Sequence, residues 1–247
     1  MAIPQATIPS FENLVEKERH MRIISRLVVG LLISFQALAL DLSGLSNADA
    51  GSGLKDALTQ GSAVAVAKLG AENGFLGNEK VRIPLPDALK RVEGMLRVLG
   101  MQKQTEELVT AMNRAAEQAV PEAKALLVNA VKNMSWQDAK GILTGSDTAA
   151  TEYFRRTTSD QLIEKFLPIV TKATTNVGLA EKYNEIAGKG AKLGLVDARQ
   201  ARIENYVTQK TLDGLFLMMA EQEKAIRADP IGATTAMARR VFGLTAK

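Results

Sequence analysis

The first strongly apolar stretch lies in MRIISRLVVGLLISFQALALDLSGLSNADA, residues 21–50, and has no helical period. Leu27 to Leu40 is apolar on every side, with only Gly30, Ser34 and Gln36 interrupting it. The run is 14 residues long, whereas a membrane-crossing helix needs roughly 20 apolar residues. Arg22 and Arg26 precede it, and Ala37-Leu38-Ala39 closes it with a small-x-small triplet. This order of charge, apolar run and small residues predicts a secretory signal cut after Ala39. The residues ahead of Met21 do not belong to that pattern, so Met21 is the expected start, and 1–39 is expected to be absent from the mature protein. Ala48-Asp49-Ala50 is a second small-x-small triplet, but it lies far beyond the apolar run.

From Leu40 onward the pattern changes to helical spacing. Leu54, Leu58, Ala65 and Leu69 share one face, with Gly61 on the same side to allow close approach. GAENGFLGN breaks this helix, and KVRIPLP alternates apolar and polar residues. Its two prolines favour an extended connector over a paired strand. Leu89, Val92, Leu96 and Leu99 return to helical spacing and Gly100 ends them. In TEELVTAMNRAAEQAVPEAKALLVNAVKNM, Leu108, Met112, Ala115, Ala116 and Ala119 form a narrow stripe of mostly small residues. Pro121 either kinks this stretch or begins a second helix. Ser135 is a candidate cap for WQDAKGIL. Thr158 and Gln161 have capping-box spacing, which predicts a fresh helix start at SDQLIEKFLPIV, bent by Pro168. GLAEKYNEIAGKGAKLG reads as a helix with glycine-rich exits. Leu215 to Ala220 is apolar all round, the mark of a helix central to a bundle. Asp229 and Pro230 predict a final helix. Together these elements predict an all-α, single-domain irregular helical bundle over 40–247, with at most a short extended segment near Val81–Leu85.

Composition narrows the chemistry. The chain has 31 Lys and Arg, 27 Asp and Glu, one His and no Cys. Removing residues 1–39 takes away Lys17, Arg19, Arg22 and Arg26 with Glu12, Glu16 and Glu18, leaving 27 basic against 24 acidic residues, a net charge of +3. The charge is dispersed and aromatics are 4%, so no basic patch with stacking aromatics is offered to nucleic acid. His20 is lost with the leader, so neither a Ser-His-Asp triad nor a Cys-His pair nor a usual zinc site can be built. The mature length, about 208 residues, suffices to bury a core without disulfides. No cofactor or metal is expected, nor any membrane span after signal removal.

Two groups of residues concentrate polar chemistry. In TEYFRRTTSD, Arg155 and Arg156 follow Tyr153 and Phe154 at an expected helix end. With Thr158 and Ser159 at the next helix start, they could hold a phosphate or carboxylate. The plainer reading has the arginines capping the preceding helix and meeting solvent. In MNRAAEQAVPE, Arg114 and Glu117 are three apart, the spacing of an intrahelical ion pair, and Asn113 faces elsewhere. Lys210 and Asp213 repeat that spacing on the apolar final stretch, where buried charges need partners. Asn113, Arg114, Glu117, Lys210 and Asp213 are therefore expected to form a structural polar network. GKGAKLG lacks phosphate-loop spacing, and Met218-Met219 reads as core filling.

GLKDALTQG, GFLGNEKVRIPLPDALKRVE, MNRAAEQAVPEAKALLVNAVKNM, AKGILTGSDTAATEYFRRTTSDQL, YVTQKTLDGLFLMMAEQEKAIRADP and the closing VFG resemble the bacterial domain-of-unknown-function family 4197. The resemblance runs from about Gly53 to Gly243. It implies a helical, exported protein of Gram-negative-type bacteria, located in the periplasm, and carries no catalytic residues. The expected function is non-enzymatic binding of a lipid, an apolar or anionic-headed small molecule, or an envelope protein, since apolar clefts with few polar groups are the common composition of ligand sites. The alternative is a hydrolase built from carboxylates and arginines acting on an envelope substrate.

Overall fold

The computed structural model describes residues 47–194, 197 and 201–228. The expected leader, the cleavage site and the final helix beginning at Asp229-Pro230 lie outside the described residues. Among the described residues eight α-helices follow one another: α1 (Asn47–Gly70), α2 (Asp87–Val98), α3 (Gln102–Ala119), α4 (Ala123–Lys132), α5 (Trp136–Thr144), α6 (Ala149–Thr174), α7 (Gly178–Lys192) and α8 (Ile203–Ala228). No strand occurs among the described residues, so the fold is all-α. Val81 to Leu85 is an extended connector whose Val81, Ile83 and Leu85 are buried.

Local signals explain most boundaries. Ser135 caps α5 in a full capping box: Asp138 N–H donates to Ser135 Oγ at 3.1 Å, and Ser135 N–H donates to the Asp138 carboxylate at 3.3 Å. Pro121 sits in a one-turn 3₁₀ segment, Val120–Glu122, that joins α3 to α4. The α1 stripe is buried as its spacing requires, with Leu54, Ala65 and Leu69 wholly inaccessible. Gly61 brings α1 against Ile226 of α8.

α6 and α8, 26 residues each, form the centre, and α1, α3, α4 and α5 pack around them. Leu212, Leu215, Phe216, Met218 and Met219 of α8 are buried. Leu217 alone in that apolar run is substantially exposed.

One expectation is corrected. No helix begins at Thr158: α6 runs unbroken from Ala149, through Arg155-Arg156 and past Pro168. The reason is packing. Phe154, Thr158, Leu162, Phe166 and Val170 form one continuous buried stripe, and burying it outweighs a capping signal worth about 1 kcal/mol. The Thr158 hydroxyl donates to Phe154 O at 2.7 Å inside its own helix instead of capping another. α2 forms where Leu89, Val92, Leu96 and Leu99 predicted it, and none of its residues is buried.

A distant side chain caps α6. Thr148 makes no capping bond of its own. The Glu223 carboxylate of α8 accepts the backbone N–H groups of Ala150 and Thr151, each at 2.9 Å, and the Thr151 hydroxyl at 2.9 Å. Arg227 pairs with Glu223 at 2.9 Å and donates to Ile142 O, near the end of α5, at 2.8 Å. A negative group thus meets a helix N-terminus and a positive one a helix C-terminus, the favourable sense for both helix dipoles.

Between α1 and α2 the backbone forms turn hydrogen bonds of its own at Gly74, Gly77, Asn78, Val81 and Arg82, and is held from outside as well. Gly214 of α8 leaves room for that segment: a Cβ there would lie 2.7 Å from Phe75 Cε1 and 3.3 Å from Val81 Cβ. Phe75 is fully buried and has nowhere to move. Gly214→Ala is therefore expected to destabilise the protein by about 1–3 kcal/mol through overpacking, despite the better helix propensity of alanine. Urea unfolding of the variant checks this, and an unchanged or raised midpoint contradicts it.

Candidate functional site

Asn113 and Glu117 lie one helical turn apart on α3 and grip the segment between α1 and α2. Asn113 Oδ1 accepts Ile83 N–H at 2.8 Å, and its Nδ2 donates to Ile83 O at 2.9 Å and Val109 O at 2.8 Å. Glu117 Oε1 accepts the N–H groups of Phe75 and Leu76, both at 3.0 Å, and its Oε2 pairs with Arg114 at 2.6 Å. Arg114 also reaches Asn73 Oδ1 at 3.0 Å. The expected network is thus present for Asn113, Arg114 and Glu117, and its targets are backbone groups that spacing alone does not reveal.

Lys210 and Asp213 do not belong to it. They are 3.8 Å apart, each with 44% of its side chain exposed, and they line a surface cleft. The cause is rotation along α8: residues 205, 206, 209, 210 and 213 follow one another at turn spacing opposite the apolar face. This side of α8 faces Ile163 and Leu167 of α6 across a cleft of about 570 Å³, also lined by Asp197 and Thr208. That volume lies within the range that encloses small organic ligands. By contrast, the apolar cavity bordered by Gly61, Phe154, Met219 and Glu223 is about 30 Å³, room for a water molecule or two. The α6–α8 cleft is the candidate site.

Its wall is unusual at Thr208. Neighbouring helical hydroxyls donate to a carbonyl four residues back, as Thr211 does to Val207 O at 2.7 Å and Thr174 to Val170 O at 2.9 Å. Thr208 is 2% exposed, and its Oγ1 has no hydrogen-bond partner. A buried hydroxyl without a partner costs about 1–3 kcal/mol. Tyr206 forms the adjoining wall and donates its phenol to Pro84 O at 3.1 Å. Burial first, then the charge of Asp87 and the neighbouring Tyr183, push its hydroxyl up to about 12, so it stays a neutral phenol. The Lys210 ammonium stands 6.0 Å from the Tyr206 ring centroid.

The stretch Tyr153, Arg155, Arg156, Thr158, Ser159 lies elsewhere, inside α6. Its backbone N–H groups are consumed by the helix. Ser159 Oγ donates to Arg155 O at 2.6 Å, and Thr157 Oγ1 to Tyr153 O at 2.8 Å. Arg155 lies 4.6 Å over the Phe216 ring, while Arg156 reaches Asp138 at 3.3 Å and faces the Tyr153 ring. Tyr153 donates to Ala130 O at 2.8 Å. The arginines are exposed, but the helix-start donors expected beside them are not there. Sequence reasoning passed over Tyr206, Thr208, Ile163 and Leu167. A polar row at 205, 209 and 213 beside 206 and 210 was the available signal.

Among the described residues, an all-helical domain with a half-apolar cleft between α6 and α8 and buried side-chain clamps defines the class. The chain belongs to the DUF4197 family, described as a protein of unknown function, whose model matches residues 44–243. No curated protein and no solved structure is significantly similar to the chain. No helix among the described residues is long and apolar enough to cross a membrane.

The Glu117 grip gives the fold a pH dependence. Burial by itself would raise the Glu117 carboxyl, but the Leu76 N–H, the Arg114 guanidinium and the Phe75 N–H outweigh it and hold the group below the ordinary value. A lowered carboxylate contributes stability that is full above the unfolded Glu value, about 4.3, and fades as pH falls through the lower folded value. Glu117→Gln is expected to cost about 1–3 kcal/mol at pH 7. The gap between variant and parent should narrow below about pH 4. A constant gap across that range, in denaturant melts, refutes the assignment.

Proposed function

We propose that this chain is an exported, non-enzymatic binding protein that holds an amphiphilic small molecule in the α6–α8 cleft. The observation that carries the reading is the cleft itself: ligand-sized, floored by Ile163 and Leu167, and walled by a few polar groups next to a buried hydroxyl with no partner. An apolar body would lie along the α6 side, and a polar end would meet Lys210, Gln209, Asn205 and Asp213. Among the described lining residues Lys210 is the one cation, with Asp197 and Asp213 beside it. That balance favours a neutral or zwitterionic head over a bare anion, because the two carboxylates repel an anion. Export rests on the charged, apolar and small-residue zones of residues 21–39.

Dodecylphosphocholine, kept monomeric, is a suitable probe of a zwitterionic single-chain ligand. The parent protein is expected to bind it, and Leu167→Trp, which fills the cleft from its half-buried floor, should weaken binding at least about tenfold without lowering the melting temperature. Thr208→Val removes the unpaired hydroxyl and should raise the stability of ligand-free protein by about 1 kcal/mol. Calorimetric titration and thermal melts read both effects. Undiminished binding by Leu167→Trp sinks the cleft as the site.

Export has its own test. Mass spectrometry of the protein from cell envelopes should show an N-terminus at Leu40. A cytoplasmic species retaining residues 1–20 would overturn both the cleavage site and the start at Met21.

A further inference from the structure

The outer face of α2 stands apart from the rest of the surface. Val92, Met95 and Leu99 recur at i, i+3 and i+7, so they form one stripe along the helix. Their exposures are 39%, 64% and 66%, and neighbouring Val98 is 86% exposed. No residue of the helix is buried, although Leu89 rests partly on the core. The opposite edge is polar and turns toward α3. There Lys90, Glu93 and Arg97 line a groove with Gln102, Thr105 and Glu106. It continues to Arg82 and Pro84 through a second hollow that shares Lys90, Glu93, Thr105 and Glu106.

The charges in that groove are unevenly satisfied. Glu106 accepts the Gln102 amide at 2.9 Å. Arg82, Lys90 and Arg97 make no ion pair or side-chain hydrogen bond among the described residues, and neither does Arg91 on the outer side of the helix. A helix with an exposed apolar stripe, backed by unpaired Lys and Arg, has the arrangement that lies in a bilayer interface. The apolar stripe enters the acyl boundary while long basic side chains reach up to lipid phosphates.

We propose that α2 docks on the surface of an anionic phospholipid membrane, with Val92, Met95 and Leu99 inserted and Arg82, Lys90, Arg91 and Arg97 meeting headgroup phosphates. The charge balance of the helix and its groove favours this occupant: Arg82, Lys90, Arg91 and Arg97 stand against Asp87, Glu93 and the amide-bonded Glu106. The helix stays in the interface, because it is 12 residues long against the roughly 20 needed to span. This site is separate from the α6–α8 cleft, and either can fail without the other.

Co-sedimentation of the purified protein with sucrose-loaded vesicles tests the assignment. The protein should partition onto vesicles of equal phosphatidylglycerol and phosphatidylcholine, and much more weakly onto phosphatidylcholine alone. Met95→Glu with Leu99→Glu should reduce partition at least about tenfold, with helicity and melting temperature unchanged because both side chains are exposed. Replacing Arg82, Lys90 and Arg97 by Gln should reduce it about fivefold per charge removed, and added salt should imitate that loss. Unchanged partition of the Met95/Leu99 variant overturns the proposal. So does a lowered melting temperature for that variant, which would show the stripe covered by the chain itself. A parent dimer that the same variant dissociates, without vesicle binding by the parent, assigns the face to a second copy and equally overturns it.

Discussion

Buried backbone groups must be paired, and the turns between α1 and α2 pair only some of those in that stretch. α3 supplies partners for others. Glu117 takes two backbone N–H groups, and Asn113 takes both the N–H and the C=O of Ile83. These side chains are held by their own helix, and Arg114 neutralises Glu117, so the grip costs little ordering when the chain closes on it. With the grip in place, Phe75, Val81, Ile83 and Leu85 enter the core against α8, and Gly214 provides the space. The next carbonyl, Pro84 O, then takes the Tyr206 phenol. One wall of the α6–α8 cleft is therefore positioned through the same connector that Asn113 holds.

The same device recurs elsewhere. Glu223 closes the start of α6 and Arg227 reaches the end of α5, both from α8. Asn184 of α7 accepts the Ile203 N–H at the start of α8 at 2.7 Å and donates to Glu204 at 3.0 Å. Each tie replaces a local cap with a long-range one, so helix ends become dependent on tertiary packing. Breaking one of these buried ties leaves unpaired donors behind, a larger loss than the net worth of the bond. The chain has no cysteine, so these ties, not disulfides, join the segments.

α8 carries two faces with different surroundings. Its apolar side is packed into the centre of the bundle, and the side bearing Asn205, Tyr206, Gln209, Lys210 and Asp213 borders the cleft. The cleft therefore rests on two long, well-packed helices, which favours a preformed site over one assembled on binding. α2, in contrast, touches the bundle lightly and offers its apolar stripe outward.

Much of the architecture was legible from spacing. The stripe Leu54–Leu69, the cap at Ser135, the break at Pro121, the extended Val81–Leu85 and the central Leu215–Ala220 all reflect short-range geometry, which needs no knowledge of neighbours. The α3 ion pair of Arg114 and Glu117 was legible for the same reason. Three things were decided only in three dimensions. Thr158 has the spacing of a helix start, yet the buried stripe from Phe154 to Val170 carries α6 straight through it, because burial of a whole face outweighs one cap. Lys210 and Asp213 sit beside an apolar run, but rotation along α8 brings them to the cleft, and no sequence pattern states which face meets α6. Leu89, Val92, Leu96 and Leu99 have the spacing of a core helix, while Val92 and Leu99 face outward. Periodicity determines that a helix has an apolar side. Only the surrounding helices determine whether that side is covered, because coverage depends on contacts between residues far apart in the chain.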